Sequence, residues 1–133
     1  MTAESTPDRR RDRSDDPLVA LHHQLAHARR DAELEAMVLA DDAGVVVAGA
    51  GAWAVCEELA AYAPLLAKGP CSEGALEKTS RIAELRAHVE VRPVHVAGQT
   101  VLLCARGAGA LGGRRASIDR AAQGVARILS DAA

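Results

Sequence analysis

The clearest pattern of apolar and polar positions lies in residues 36–67, where two short apolar runs precede a longer helical pattern. The runs, residues 36–40 and 45–48, are joined by an Asp-Asp-Ala-Gly segment whose composition suits a tight turn. The second run contains three consecutive valines, and β-branched residues favour strands. This pattern predicts a β-hairpin, a Gly-Ala-Gly connection and a helix that begins near Ala52.

An amphipathic helix is predicted before the hairpin. Asp16 and Pro17 suit its start, because Asp caps free backbone amides and Pro already has the backbone angle of the first helical position. Apolar residues then recur at intervals of three and four on one face: Leu18, Leu21, Leu25, Ala28 and Ala32. In the helix after the hairpin, Pro64 cannot donate to the helical ladder, so we expect a kink or an end at residues 60–62.

The second half of the chain predicts two strands between helices. A weak helical pattern over residues 76–85 is followed by alternation in residues 88–96, which predicts a strand with one face in the core. Pro93 places that strand at an edge or a bulge. After a turn at Gly98-Gln99, residues 100–105, which are apolar after Thr100, predict a strand buried on both faces.

A closing helix is predicted after the Gly-rich residues 107–113. Ile118, Val125 and Leu129 recur on one side of it and are expected to anchor it to the core.

Composition and charge bound the class of protein. Residues 1–15 mix Arg and Asp without apolar periodicity and predict a disordered charged tail, which leaves residues 16–133 as a single domain. The net charge of −2 and an aromatic content of 2% argue against nucleic-acid binding, which needs basic surface and stacking platforms. With no apolar run of the roughly 20 residues needed to span a bilayer, and three widely spaced cysteines, we expect a cytoplasmic protein.

Two Gly-rich stretches imitate a dinucleotide-binding fingerprint. Residues 107–112 match Gly-x-Gly-x-x-Gly, and the stretch that begins at Gly49 is a close variant. The fingerprint requires a parallel βαβ unit with an acidic residue about 20 positions further on, which neither stretch has. We therefore predict no nucleotide cofactor. A weaker alternative is an anion held by residues 112–115 at the start of the last helix, against a plain loop.

Side chains that often bind metals or carry catalysis lack the partners that they need. His23 and His27 lie four residues apart, a spacing that can chelate zinc, but no third ligand is evident. Cys56 and Cys104 lie in apolar patterns, where a thiol behaves as a small hydrophobe, and Cys71 has no histidine near it in sequence. The prediction is a protein that is not an enzyme, with no catalytic residue, no metal and no cofactor.

The order of predicted elements, α-β-β-α-(α)-β-β-α, resembles that of the Roadblock/dynein light chain family of profilin-like domains. The likeness is carried by MVLADDAGVVVAGAG, by CEELAAYAPLLA and by the flanking elements, over about residues 17–130. It implies an α/β (α+β) fold in which helices flank a single antiparallel sheet. It also implies a non-enzymatic homodimer that regulates or scaffolds a small Ras-like GTPase. The alternative is a GAF- or PAS-like domain that binds a small molecule in an apolar pocket. Such pockets are commonly lined by aromatic side chains, which are scarce in this chain.

The resemblance places a dimer interface on the helix after the hairpin, because Roadblock-like dimers bring this helix against its two-fold mate. Trp53 and Tyr62, the only large aromatic side chains, are nine residues apart and cannot both occupy the centre of one helix face. The interface residues implied are Trp53, Glu57, Ala60, Ala61 and Tyr62. We expect Ala61→Arg to give a folded monomer, and the same change at Ala32 or Ala133, taken as exposed positions, to leave assembly unchanged.

Overall fold

The structure, a computed structural model, describes residues 16–68, 76–107 and 114–132, and gives residues 76–80 by their backbone alone. These residues form four helices and four strands in the order that the sequence predicts. The helices are α1 (Pro17–Asp31), α2 (Trp53–Ala67), α3 (Leu76–Arg86) and α4 (Arg115–Ala132); the strands are β1 (Ala36–Asp41), β2 (Val46–Ala50), β3 (Val89–Val96) and β4 (Gln99–Arg106). The predicted tail, residues 1–15, lies outside the described residues.

The four described strands form one antiparallel sheet in the order β2-β1-β4-β3. β1 and β4 are its central strands, and residues 102–105 of β4 are buried, as their continuous apolar run predicts. β3 is an edge strand, which confirms the position expected from Pro93, since an edge strand can spare a backbone donor.

Helices cover both faces of the sheet and create two apolar clusters. Residues along β1 alternate between them: Met37 and Leu39 face α1 and α4, whereas Val38 faces α2 and α3. The first cluster is centred on side chains with at most 1% exposure: Leu21, Leu25, Met37, Leu39, Leu103, Ile118 and Val125. The second contains Val38, Cys56, Leu59, Leu85 and Cys104. Burial of each large aliphatic side chain contributes about 1.5–3 kcal/mol, so both layers stabilise the sheet.

The helix ends show how local chemistry sets the boundaries. The Asp16 carboxylate accepts from the Val19 amide at 3.3 Å, which confirms the predicted cap of α1. At the C-terminal end of α2, the Arg86 guanidinium donates to the carbonyl oxygens of Leu66 and Leu65 at 3.2 and 3.4 Å. These bonds satisfy terminal carbonyls of α2 and tie α3 to it.

Pro64 does not end α2 at residues 60–62, one of the two outcomes expected there, because the helix continues through Pro64 to Ala67. Ala63 and Leu66, on either side of Pro64, are buried against the sheet and hold the helix in place. The hairpin turn covers the carbonyl that Pro64 leaves without its helical donor: a Cβ added to Gly44 would lie 3.3 Å from the Ala60 oxygen. Tertiary packing therefore overrides the local preference of proline.

The turn between β3 and β4 lies one residue earlier than expected. Val96 pairs with Gln99, so the turn consists of Ala97 and Gly98 rather than Gly98 and Gln99. Both turn residues have positive φ, 52° and 77°, which is typical of a two-residue hairpin turn whose twist matches its strands.

Two of the three anchors predicted for α4 differ in burial, and their stability costs should differ accordingly. Ile118 is fully buried, whereas Leu129 is half-buried beside Val96 and Val101. We expect Ile118→Ala to lower the free energy of unfolding by about 2–5 kcal/mol. Leu129→Ala should lower it by only about 1 kcal/mol, since less apolar surface leaves water there. Urea denaturation measures both changes, and equal costs would contradict the assignment.

Candidate protein interaction surface

One side of α2 faces away from the sheet and forms a continuous surface. Its residues recur at intervals of four, four, three and four, the spacing of one helix face: Trp53, Glu57, Ala61, Pro64 and Lys68. We call this set the α2 outer face. Pro64 is half-buried and the other four are exposed, with Trp53 at 57%. A large aromatic side chain in water next to small residues is the composition that protein interfaces favour.

The predicted interface residues separate into two groups. Trp53, Glu57 and Ala61 lie on the α2 outer face, whereas Tyr62 is half-buried against the second apolar cluster. Thus one aromatic residue serves the core and the other faces outward, as their nine-residue spacing predicts. Ala60 corrects the prediction: it is fully buried in the second cluster, because its helical position points to the sheet, and it cannot contact a partner.

The β1–β2 turn extends the α2 outer face. A Cβ on Gly44 would lie 3.5 Å from the Cα and the carbonyl oxygen of Ala61, so this turn packs against the middle of α2. The next residue, Val45, is 59% exposed. Two of the four large exposed apolar side chains in the described residues, Val45 and Trp53, therefore belong to the hairpin–α2 unit; the other two, Leu18 and Val19, lie on α1.

The neighbouring carboxylate, Glu58, has a role inside the chain. Its two oxygens accept from Nη2 and Nε of Arg81 at 2.6 and 3.0 Å, and Arg106 Nη1 lies 3.5 Å away. The hydrogen bond to Glu58, together with one to Glu84, raises the pKa of Arg81. Glu58 thereby links α2 to α3 and β4.

The candidate metal ligands do not converge within the described residues, where no group of three or more His, Cys, Asp or Glu side chains could hold a metal ion. His23 and His27 are both exposed on α1. Residues 108–112 of the Gly-x-Gly-x-x-Gly match at 107–112 lie outside the described residues. The first motif begins in β2, an antiparallel strand, and a Cβ at Gly49 would lie 3.1 Å from the Cys56 sulfur, so packing accounts for that glycine.

The two described cysteines are buried thiols. Burial raises the pKa of Cys104 to about 12 and also raises that of Cys56, whose Sγ donates to the Ala50 carbonyl at 3.7 Å. Because the thiolate is the reactive form, we expect iodoacetamide at pH 8 to leave Cys104 unmodified in the folded protein and to label it after unfolding in urea. Mass spectrometry of the peptides measures this. Fast labelling of Cys104 without denaturant would contradict its buried position.

None of the helices within the described ranges is both long and apolar enough to cross a bilayer.

Solved structures with a similar fold are MglB proteins. MglB of Myxococcus xanthus is 19% identical, with a TM-score of 0.54 over 87% of this chain and 92% of that one. An MglB described with a tetrameric arrangement is 24% identical, with a TM-score of 0.55 over 88% and 93%. The gliding protein MglB from Thermus thermophilus is 25% identical, with a TM-score of 0.51 over 84% and 90%. No family model and no curated protein matches the chain.

The chain has a Roadblock-like fold. The likeness extends over most of this chain and of each MglB chain, so it is a likeness of the domain and not of one short motif. The fold class predicted from the element order is confirmed.

Proposed function

We propose that this chain is a non-enzymatic, cytoplasmic homodimeric module, formed by residues 16–133, that regulates or scaffolds a small Ras-like GTPase. The observation that supports it is the α2 outer face, an exposed helix surface with Trp53 at one end and Ala61 at its centre. The Roadblock-like fold supports the class of partner, because the family resemblance associates this fold with GTPase regulation.

The α2 outer face suits a second helix. Ala61 and Pro64 present little side-chain bulk at its centre, which allows a neighbouring backbone to approach closely. Trp53 offers a large apolar area whose burial stabilises association. In a symmetric dimer each contact occurs twice, so a modest surface yields a useful contact area.

A ligand-sensing function has less support from the packing of the sheet. Residues 36–40 of β1 are all fully buried, by α1 and α4 on one side and by α2 and α3 on the other. A sensor of the GAF or PAS type needs room for a ligand against its sheet, and in the described residues these side chains occupy that space.

Two measurements test the proposal. Sedimentation velocity should give a dimer at tens of micromolar protein. Dilution should dissociate the dimer and shift the fluorescence of Trp53 to longer wavelength, because its indole then enters water. The signal reports on this one residue, since the chain has one tryptophan. The dimer should also bind a Ras-like GTPase from the same organism differently in its GDP form and in the form loaded with a non-hydrolysable GTP analogue. A monomer, or equal absence of binding to both forms, would refute the proposed function.

A further inference from the structure

A groove runs between α1 and α4, on the face of the sheet opposite the α2 outer face. It has a volume of about 310 Å³ and a floor of small, buried residues: Ala28, Ala121 and Gly124. The Gln24 side chain lies over Gly124, where an added Cβ would be 2.5 Å from its amide oxygen. The two helices therefore approach closely, and the small residues leave the space above them open. We call this space and its lining the α1–α4 groove.

The α1–α4 groove carries an excess of positive charge. Its lining contains two guanidinium groups, Arg120 and Arg127, against a single carboxylate, Asp31. Nη2 of Arg120 donates to that carboxylate at 3.3 Å and to the Ser117 hydroxyl at 3.1 Å. Arg127 is exposed, and the salt bridges that the described residues form do not include it. One cation is therefore fixed at one end of the groove, and a second is open to a ligand at the other end.

The spacing of the two guanidinium groups favours a particular shape of ligand. Arg120 and Arg127 are seven residues apart, so their Cα atoms are separated by about 10.5 Å along one side of α4. A chain in the polyproline II conformation, which unfolded segments often adopt, has three residues per turn. Carboxylates three residues apart on such a chain lie on one side of it, about 9 Å from each other, within reach of both flexible side chains. A guanidinium can bind a carboxylate through two parallel hydrogen bonds, and Arg120 retains donors on Nε and Nη1.

We propose that the α1–α4 groove binds an extended acidic segment of a partner protein, in which two carboxylates three residues apart are held by Arg120 and Arg127. The side-chain amides of Gln24 and Gln123 also line the groove and can hydrogen-bond the backbone of such a segment. A second copy of this chain does not fit there groove against groove, because like charges would face each other. The sheet separates the groove from the α2 outer face, so the inference depends neither on the proposed dimer nor on the GTPase.

Fluorescence anisotropy with a labelled peptide tests the proposal. The probe is a short peptide of Gly and Ser with two Glu residues three positions apart, and the matched peptides have the two Glu residues adjacent or replaced by Gln. At low ionic strength the probe should bind the wild type about tenfold or more tightly than either matched peptide, since only the probe reaches both guanidinium groups. Arg127→Glu should weaken its binding about tenfold or more, because the substitution replaces an attraction by a repulsion. Equal binding of the spaced and adjacent Glu peptides, or no binding of the probe by the wild type, would overturn the proposal.

Arg30→Glu is the matched control, because it makes the same change of charge at an exposed position of α1 outside the groove lining. It should leave the dissociation constant of the probe nearly unchanged. Equal losses in Arg127→Glu and Arg30→Glu would show a general attraction to charge and refute the site. Displacement of the probe by an equal concentration of inorganic phosphate would show a site for single anions and refute it too. Circular dichroism should show native helix content in both variants, and because dimerisation is measured separately, failure of the groove leaves the proposed function standing.

Discussion

Ala61→Arg should turn the proposed dimer into a folded monomer at tens of micromolar protein. Ala61 is exposed at the centre of the α2 outer face, so the fold does not depend on its small size, and Arg is a good helix former. At a two-fold contact the substitution introduces two bulky cations that must lose water without a designed partner, which costs several kcal/mol for each ion. We expect the dissociation constant to rise about a hundredfold or more.

Ala116→Arg is the matched control for this experiment. Ala116 is exposed in the first turn of α4, on the other side of the sheet from α2, so its substitution should change neither assembly nor stability appreciably. Ala32 cannot serve: it is 6% exposed, because it continues the apolar stripe of α1 into the core, and the expectation that it is exposed is wrong. Ala133 lies outside the described residues. Sedimentation velocity compares the variants, and a folded Ala61→Arg dimer would exclude the α2 outer face as the interface.

The fold was accessible from the sequence because its main signals are local and agree with each other. Asp16 and Pro17 start α1, the Asp-Asp-Ala-Gly turn closes the hairpin, and Pro93 marks β3 as an edge strand. The errors arise where distant parts of the chain decide the outcome. Pro64 stays inside α2 because the sheet and the hairpin turn hold the helix on both sides of it, and no local pattern shows those contacts.

The interaction surface was accessible only in part. Ala60 and Ala61 are identical side chains, and the rotation of about 100° between neighbouring helix residues sends one into the core and the other into water. Only the rotation of α2 about its own axis decides which of the two alanines is buried. Glu57 and Glu58 pose the same problem, since the partners of Glu58 come from α3 and β4. Lys68 lies beyond Pro64, and the kink or end expected at residues 60–62 left it off the predicted face. The three-to-four spacing from Trp53 to Lys68 would have revealed the face.

Gly51→Ala should be among the most destabilising single substitutions in the described part of the chain. Gly51 has a φ of 114°, a conformation that side chains bearing a Cβ rarely adopt, and a Cβ there would lie 2.8 Å from the Glu35 carbonyl oxygen. That oxygen cannot retreat freely. It accepts from Arg29 Nε at 3.0 Å, while the Glu35 amide donates to the Arg106 carbonyl at 2.8 Å. We expect a loss of about 3 kcal/mol or more in the free energy of unfolding.

Gly98→Ala separates the two causes of that loss, which are backbone strain at a positive φ and the close contact with the Glu35 carbonyl oxygen. Gly98 also has a positive φ, 77°, but its hypothetical Cβ would meet no atom within 4 Å, so this variant reports backbone strain alone and should lose only about 1 kcal/mol. Urea denaturation of both variants gives the difference, which measures the contact with Glu35. Equal losses would show that the close approach is not what requires glycine at position 51. A large difference means that the glycine of this Gly-Ala-Gly connection lets α2 begin immediately beside the start of β1, a packing role that needs no bound phosphate.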